Sequence, residues 1–136
     1  MEESCILCGC KVHRSGEYAT KTLTGRSHAT FHHYVAERFF GRSQNRKGTL
    51  HVPIFTSCPW DLEKKGEIYC YECHEELIHN PVFTKNDIGK FAALIKSRKL
   101  NEIDKQEDMD KIAGRIKLLN EIIAAGLNVL STGNDN

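Results

Sequence analysis

Residues 69–79 read YCYECHEELIH, and this stretch decides the fold because a Cys-x-x-Cys pair runs directly into a segment with two histidines. A second such pair stands near the N-terminus, where Cys5 and Cys8 precede Gly9. Two thiolate pairs far apart in sequence are what a tetrahedral zinc site requires. Glycine after the first pair permits the tight turn that aims backbone N–H groups at sulfur. The spacing therefore predicts one structural Zn²⁺ bound by Cys5, Cys8, Cys70 and Cys73.

The composition is that of an ordinary domain of 136 residues, 40% hydrophobic and 27% charged, with a formal net charge of +1. The sequence contains no apolar run approaching the roughly 20 residues that cross a bilayer, and its start lacks the pattern of a secretion signal. Six cysteines without an export signal favour a reducing compartment, where thiols are more often metal ligands than disulfides. We therefore expect a cytoplasmic protein without a membrane span, with Cys10 and Cys58 outside the zinc site.

Between the two cysteine pairs, residues 29–35 (ATFHHYV) have the aromatic and β-branched content of a strand. Residues 41–67 are rich in glycine, proline and polar side chains, which predicts loops and short extended pieces. From Cys73 we expect a short helix to about His79, ending near Pro81 because proline disfavours helical geometry in the residue before it.

The C-terminal part is predicted to be helical. One helix is expected over residues 87–98 with Asn86 as its N-cap, since apolar residues recur there at helical spacing. A second helix is expected to begin between residues 104 and 108, followed by a disordered tail at residues 131–136. Its apolar stripe either packs on its own domain or forms a dimer interface, and both interpretations stay open. The stripe consists of Met109, Ile112, Ile116, Leu119, Ile123 and Leu127.

The order CILC, then FHHYV, then YCYECHEELIH resembles the HNH endonucleases, also called ββα-metal or His-Me finger nucleases. The resemblance covers about residues 5–80. It implies an α+β fold with a small ββα-metal, treble-clef-like zinc core in residues 1–84. Residues 85–136 lie outside the motif and are expected to form a C-terminal helical extension packed on that core.

The resemblance also implies roles for the histidines in a metal-dependent cleavage of DNA, with RNA not excluded as a substrate. His33 matches the general base that activates water, and Asn45 is our choice for the side chain that orients the His33 ring. A catalytic divalent cation, Mg²⁺, Mn²⁺, Ni²⁺ or Zn²⁺, is expected on the histidines of the strand and the helix, His32, His74 and His79. Such chemistry needs a base and a Lewis acid in fixed positions.

Two departures from the family pattern concern spacing. Ala36 stands where the family usually has a proline, and the interval from His74 to His79 is five residues instead of four. Residues four apart share a helix face, so either the helix is distorted or His79 is not a ligand. His74 has the further alternative of binding the structural zinc.

A run of basic residues follows the histidine pair and is predicted to contact the phosphates that flank the scissile bond. It consists of Arg38, Arg42, Arg46 and Lys47. Two other classes of function remain open at this point. One is a zinc module that binds nucleic acid without cleaving it, and the other is a structural zinc protein that binds a protein partner or forms a homodimer through its C-terminal helix.

Overall fold

Two short antiparallel sheets organise the N-terminal part of the chain, and two helices follow them. The computed structural model describes residues 3–16, 26–102 and 109–133. Strand β1 (Glu3–Ser4) pairs with β2 (Lys11–Val12), and strand β3 (Ala29–His33) pairs with β4 (Gly66–Cys70). The fold is therefore α+β, as predicted.

The register of the second sheet sets the positions of the candidate ligands. Ala29 faces Cys70 and His33 faces Gly66, so the histidine pair lies at the end of the sheet away from the cysteines. The strand predicted over residues 29–35 ends at His33, because the chain bends at Tyr34. The N–H of Tyr34 donates to the carbonyl of Lys65 at 2.8 Å. A 3₁₀ helix over Glu37–Phe40 follows.

Residues 41–65 form the loop region that their composition predicts, with one isolated bridge between Gln44 and Leu50 and no helix or longer strand. An aromatic cluster gives this region its own small core. Phe55 is buried at its centre, with the rings of Phe39, Phe40 and Trp60 at centroid distances of 6.1, 6.2 and 5.6 Å.

The helix that follows Cys70 is a π-helix over Cys73–Ile78. Its wide turn is visible in the hydrogen bond from the N–H of His79 to the carbonyl of His74, five residues earlier, at 3.2 Å. The side-chain amide of Asn80 donates to the carbonyl of Glu75 and so satisfies another backbone acceptor of this turn. The helix predicted after Cys73 is present, but its turn is wider than that of an α-helix.

Helix α1 spans Lys85–Ser97, close to the predicted 87–98, but the prediction of Asn86 as its N-cap is wrong. Thr84 is the N-cap. Its hydroxyl accepts the N–H of Asp87 at 3.2 Å, and the Asp87 carboxylate accepts the N–H of Thr84 at 2.9 Å. A capping box of this kind requires an acceptor side chain three residues after the cap. Asp87 stands at that position for Thr84, whereas Gly89 stands there for Asn86.

Helix α2 spans Met109–Thr132, and the start predicted between residues 104 and 108 lies outside the described residues. Its first half packs on the rest of the chain: Ala113 and Leu118 are buried, and Asn120 accepts the indole N–H of Trp60 at 3.1 Å. From residue 121 onward its side chains are exposed, and Leu127 is 64% exposed. The predicted stripe is therefore covered only in its first half.

The prediction of a disordered tail over residues 131–136 is wrong for Ser131 and Thr132, which belong to α2. The hydroxyls of both residues donate to the carbonyl of Asn128, which satisfies a backbone acceptor at the helix end. Residues 134–136 of the predicted tail lie outside the described residues. Among the described residues, no helix combines the length and the apolar character that a membrane span needs.

Candidate metal centres

The four predicted cysteine ligands converge at one place between the two sheets. Their sulfur atoms all lie within 4.8 Å of one another, and Sγ of Cys8 is 3.9 Å from Sγ of Cys70. The edge of a tetrahedron with Zn–S bonds of about 2.3 Å is about 3.8 Å, so the spacing fits that metal. This cluster could hold one metal ion and consists of Cys5, Cys8, Cys70 and Cys73.

The backbone around the cluster explains why these cysteines meet. Gly9 has φ of 78°, a left-handed conformation that glycine adopts without strain, and its N–H donates to the carbonyl of Cys5 at 2.9 Å. At the second pair, the N–H of Cys73 donates to Sγ of Cys70 at 3.4 Å. Burial opposes ionisation of the Cys5 thiol, but the N–H groups of Cys8, Cys70 and Leu7 outweigh it and lower the pKa of Cys5 to about 6. Thiolate, the form that binds metal, is thereby favoured at Cys5.

The buried core of the two sheets is built around this cluster, so the candidate metal ligands and the apolar packing occupy the same place. Tyr69 and Val12 are buried against the cysteines. Cys10 packs at the edge of this core, where burial and the sulfurs of Cys8 and Cys70 raise the pKa of its thiol to about 12. Cys58 is exposed and donates to the carbonyl of Trp60 at 3.3 Å. Neither Cys10 nor Cys58 belongs to the four-sulfur cluster.

A second cluster is formed by three histidines from β3 and the π-helix. Nδ1 of His32 lies 3.1 Å from Nε2 of His74 and 3.3 Å from Nε2 of His79. One nitrogen atom from each ring lies within 4.8 Å of the others, so this group could also hold a metal ion. His74 lies with these two histidines and not with the four cysteines. This position does not fit the alternative in which His74 binds the structural zinc.

The π-helix explains how an interval of five residues can bring two histidines together. In an α-helix the residue above His74 would be Ile78, but the wider turn places His79 there. The centroids of the His74 and His79 rings are 4.2 Å apart. Of the two alternatives left open by the spacing, a distorted helix is the one that the structure contains.

The electrostatics of this histidine cluster favour neutral imidazole at His32. Burial, followed by the neighbouring rings of His74 and His79, lowers the pKa of His32, and Glu75 partly opposes this effect. Neutral imidazole is the form that binds metal ions. Glu75 lies on the outer side of the cluster, where its carboxylate oxygens approach Nδ1 of His74 at 3.1 Å and Nδ1 of His79 at 3.6 Å.

His33 follows His32 on β3 and is not part of the three-histidine cluster, since neighbouring strand residues point to opposite faces. Its Nε2 lies 3.4 Å from one carboxylate oxygen of Glu37, and the other oxygen lies 3.5 Å from Nη1 of Arg42. A cleft of about 790 Å³ reaches both His32 and His33, and Ile116 of α2 is among the residues that line it.

Sequence reasoning assigned no role at the site to Glu37 or Glu75. Glu37 stands four residues after His33, and Glu75 stands next to His74. A search for carboxylates within four residues of the candidate histidines would have found both, because carboxylates commonly accept an N–H from histidines that bind metal or act as a base.

The predicted contact between Asn45 and His33 has no counterpart among the described hydrogen bonds. Oδ1 of Asn45 accepts the backbone N–H groups of Lys47 at 2.9 Å and Thr49 at 3.1 Å, which stabilises the turn of its own loop. Its assignment as an orienting residue stays a prediction. The four predicted phosphate contacts, Arg38, Arg42, Arg46 and Lys47, are all exposed, and the guanidinium of Arg42 lies 4.9 Å above the ring of Phe40.

Comparison of the chain with protein-family models, with curated proteins and with solved structures finds no match. The likeness to the HNH endonucleases therefore stays a prediction from the motifs quoted above.

Proposed function

We propose that this protein is a metal-dependent endonuclease that hydrolyses DNA phosphodiester bonds. The observation that carries the proposal is the convergence of His32, His74 and His79, with His33 held just outside their cluster. Catalytic metal sites typically have three protein ligands and one open position, whereas structural zinc sites are closed by four. In this chain the histidine cluster has three candidate ligands and the cysteine cluster has four.

The donor set bears on the identity of the cation. Mg²⁺ prefers oxygen ligands, whereas imidazole nitrogen suits Zn²⁺ and Ni²⁺. Three histidines therefore favour Zn²⁺ or Ni²⁺ over Mg²⁺ among the four cations expected from the sequence. When bound, the cation would act as a Lewis acid on the phosphoryl and leaving oxygens. The lowered pKa of His32 supports binding at neutral pH, because protons then compete less for that ring.

His33 is proposed as the general base. The contact between its Nε2 and the Glu37 carboxylate favours the proton on Nε2, which leaves the lone pair of Nδ1 to accept a proton from water. Histidine is the side chain that most often accepts a proton in this role. In this proposal Glu37 orients the ring, since its carboxylate is the acceptor that lies beside it.

The surroundings of the site support a polyanionic substrate. Arg38, Arg46 and Lys47 are exposed on the segment after β3, where they can contact phosphates on either side of the scissile one. We interpret β3, β4 and the π-helix as the ββα-metal core that the resemblance implies, with the four-cysteine cluster as its structural zinc site. The treble-clef description belongs to this interpretation.

The test is the conversion of supercoiled plasmid to nicked and linear forms with Mg²⁺, Mn²⁺, Ni²⁺ or Zn²⁺ added. Cleavage by the wild type should disappear in His33→Ala, because the base is lost while the metal ligands remain. His51→Ala is the matched control, since His51 lies in the loop region and its ring contacts Ser43. We expect this variant to cleave normally.

Equal cleavage by His33→Ala and the wild type would overturn the assignment of the base. Absence of cleavage by a folded wild type with both clusters loaded would overturn the nuclease. In that case, retarded migration of DNA would support the alternative of a zinc module that binds nucleic acid without cleaving it.

A further inference from the structure

The carboxylate of Glu75 lies beside two of the three candidate histidine ligands. Oε1 of Glu75 is 3.1 Å from Nδ1 of His74, and Oε2 is 3.6 Å from Nδ1 of His79. The opposite nitrogen of each ring, Nε2, faces Nδ1 of His32 at 3.1 and 3.3 Å. Both rings therefore have the carboxylate on one side and the candidate metal position on the other.

This arrangement selects a tautomer. A neutral imidazole carries its single proton on either Nδ1 or Nε2, and only the nitrogen without the proton can bind a metal ion. A carboxylate accepts hydrogen bonds and cannot donate them when ionised, so Glu75 favours the proton on Nδ1 of its neighbours. The lone pairs of both Nε2 atoms are then directed towards His32.

The other carboxylates of the π-helix region do not share this position. Glu72 and Glu76 both pair with Arg26, with a distance of 3.0 Å at Glu72. Glu75 lies between them in sequence but contacts the histidines instead. Glu75 therefore faces the histidine cluster, whereas Glu72 and Glu76 bind Arg26. Glu76 can for this reason serve as a matched control for Glu75.

We propose that Glu75 is a positioning residue that fixes the tautomer and orientation of His74 and His79 for binding a divalent transition metal. This inference rests on the proposed function, because it assumes that the histidine cluster binds the cation. Carboxylates that accept the second N–H of a histidine ligand also make the ring more basic, and losing one typically weakens metal affinity by about 10- to 100-fold. Glu75 would have this effect on two ligands at once.

The experiment measures Co²⁺ binding to the full chain with zinc already in the cysteine cluster. Calorimetry and the visible absorption of Co²⁺ would follow the wild type, Glu75→Ala, Glu75→Gln and the control Glu76→Gln. We expect Glu75→Ala to bind Co²⁺ about 10- to 100-fold more weakly. Glu75→Gln should lose less Co²⁺ affinity than Glu75→Ala, because its amide oxygen can still accept one N–H. Glu76→Gln should match the wild type.

A second readout separates positioning from a general structural role. The ¹⁵N chemical shifts of the imidazoles, measured before Co²⁺ is added, report which nitrogen carries the proton. His74 and His79 should both be protonated on Nδ1 in the wild type, should lose this preference in Glu75→Ala, and should keep it at no more than one ring in Glu75→Gln, whose amide has a single acceptor oxygen. A side chain that only supported the fold would leave the tautomers of the folded variants unchanged.

The outcomes distinguish this inference from the proposed function. Wild-type Co²⁺ affinity and unchanged tautomers in both Glu75 variants would overturn the role of Glu75, provided that His32→Ala abolishes Co²⁺ binding. Equal Co²⁺ binding by the wild type and His32→Ala would mean that the histidine cluster is not a metal site. The proposed function and the role of Glu75 would then both fail.

Discussion

Gly66 lies so close to His32 across the sheet that position 66 has no room for a side chain. A Cβ atom there would lie 2.9 Å from the carbonyl carbon of His32 and from the Cα of His33, and nearer still to the carbonyl oxygen of His32. All three of these neighbours are backbone atoms, which cannot rotate away. The close approach of β4 to the histidine pair therefore depends on glycine at this position.

Gly66→Ala is expected to destabilise the protein by about 1–3 kcal/mol, the usual cost of forcing extra volume into a packed site. It should also weaken Co²⁺ binding at the histidine cluster, because β3 carries His32. Chemical denaturation and Co²⁺ titration would measure the two effects.

The control for this prediction is Gly89→Ala. Gly89 lies in α1, and a methyl group added there would have no neighbouring atom within 4 Å, so alanine should stabilise the protein by about 0.5–1 kcal/mol. If Gly66→Ala proved as stable as Gly89→Ala, the close contact between the strands would not exist in solution.

Cys70→Ser is expected to abolish binding of the structural zinc and to unfold the N-terminal part of the chain. Cys70 is buried, contributes one of the four sulfurs and accepts the N–H of Cys73. The binding free energy of a structural zinc, about 10–16 kcal/mol, exceeds what so small a core can supply. Elemental analysis for zinc and circular dichroism would detect both losses.

Cys58→Ser is the matched control, since Cys58 is exposed and outside the cluster. It should retain the wild-type zinc content and the wild-type melting temperature. A Cys70→Ser protein with the wild-type zinc content and fold would contradict the assignment of this cluster as the structural site.

Glu37→Ala is expected to lower kcat for plasmid cleavage by about 10- to 100-fold, part of the contribution of a general base, with little change in KM. The reason is that His33 would lose the carboxylate beside its Nε2. Co²⁺ binding at the histidine cluster should be unchanged, because the described ion pairs of the Glu37 carboxylate are with His33 and Arg42.

Arg42→Ala offers a comparison that keeps the Glu37 carboxylate and removes its second partner, together with one predicted phosphate contact. Its effect on kcat should be smaller than that of Glu37→Ala. Equal kcat values for Glu37→Ala and the wild type would argue against an orienting role for Glu37.

The N-terminus of α1 is expected to become less stable in acid. Hydrogen bonding to the backbone N–H of Thr84 lowers the pKa of the Asp87 carboxyl below its usual value of 3.8. Because the folded pKa lies below the unfolded one, the capping box stabilises α1 fully above about pH 4. This stabilisation is lost as the pH falls through the folded pKa.

Amide hydrogen exchange of residues 85–97 between about pH 6 and pH 2, corrected for intrinsic rates, would measure this loss. The comparison is Asp87→Asn, which cannot titrate and should show a flatter pH dependence. Identical profiles for the two proteins would show that Asp87 does not control the stability of this helix end.

Much of the local structure followed from short-range patterns in the sequence. The helix predicted over residues 87–98 corresponds to Lys85–Ser97, and the strand predicted over residues 29–35 corresponds to Ala29–His33. Errors occurred where two neighbouring signals competed. Both Thr84 and Asn86 can cap a helix, and the choice depended on the reciprocal hydrogen bonds with Asp87.

The roles of the carboxylates were harder to predict because they depend on direction as well as position. Glu72, Glu75 and Glu76 lie close together in sequence, yet of the three only Glu75 faces the histidines. Which way each side chain points depends on the π-turn and on the location of Arg26, a residue far away in sequence.

By itself, the sequence determined the cysteine cluster and the order of the elements, because Cys-x-x-Cys spacing and local propensity act within a few residues of chain. The convergence of His32 and His74 was expected from the resemblance, but only the tertiary structure decided that His79 joins them. That meeting requires a strand register closed by Gly66 and a helical turn of five residues, and both depend on contacts between distant segments. The tertiary structure also decided that only the first half of α2 is covered, since the residues that cover a helix face come from elsewhere in the chain.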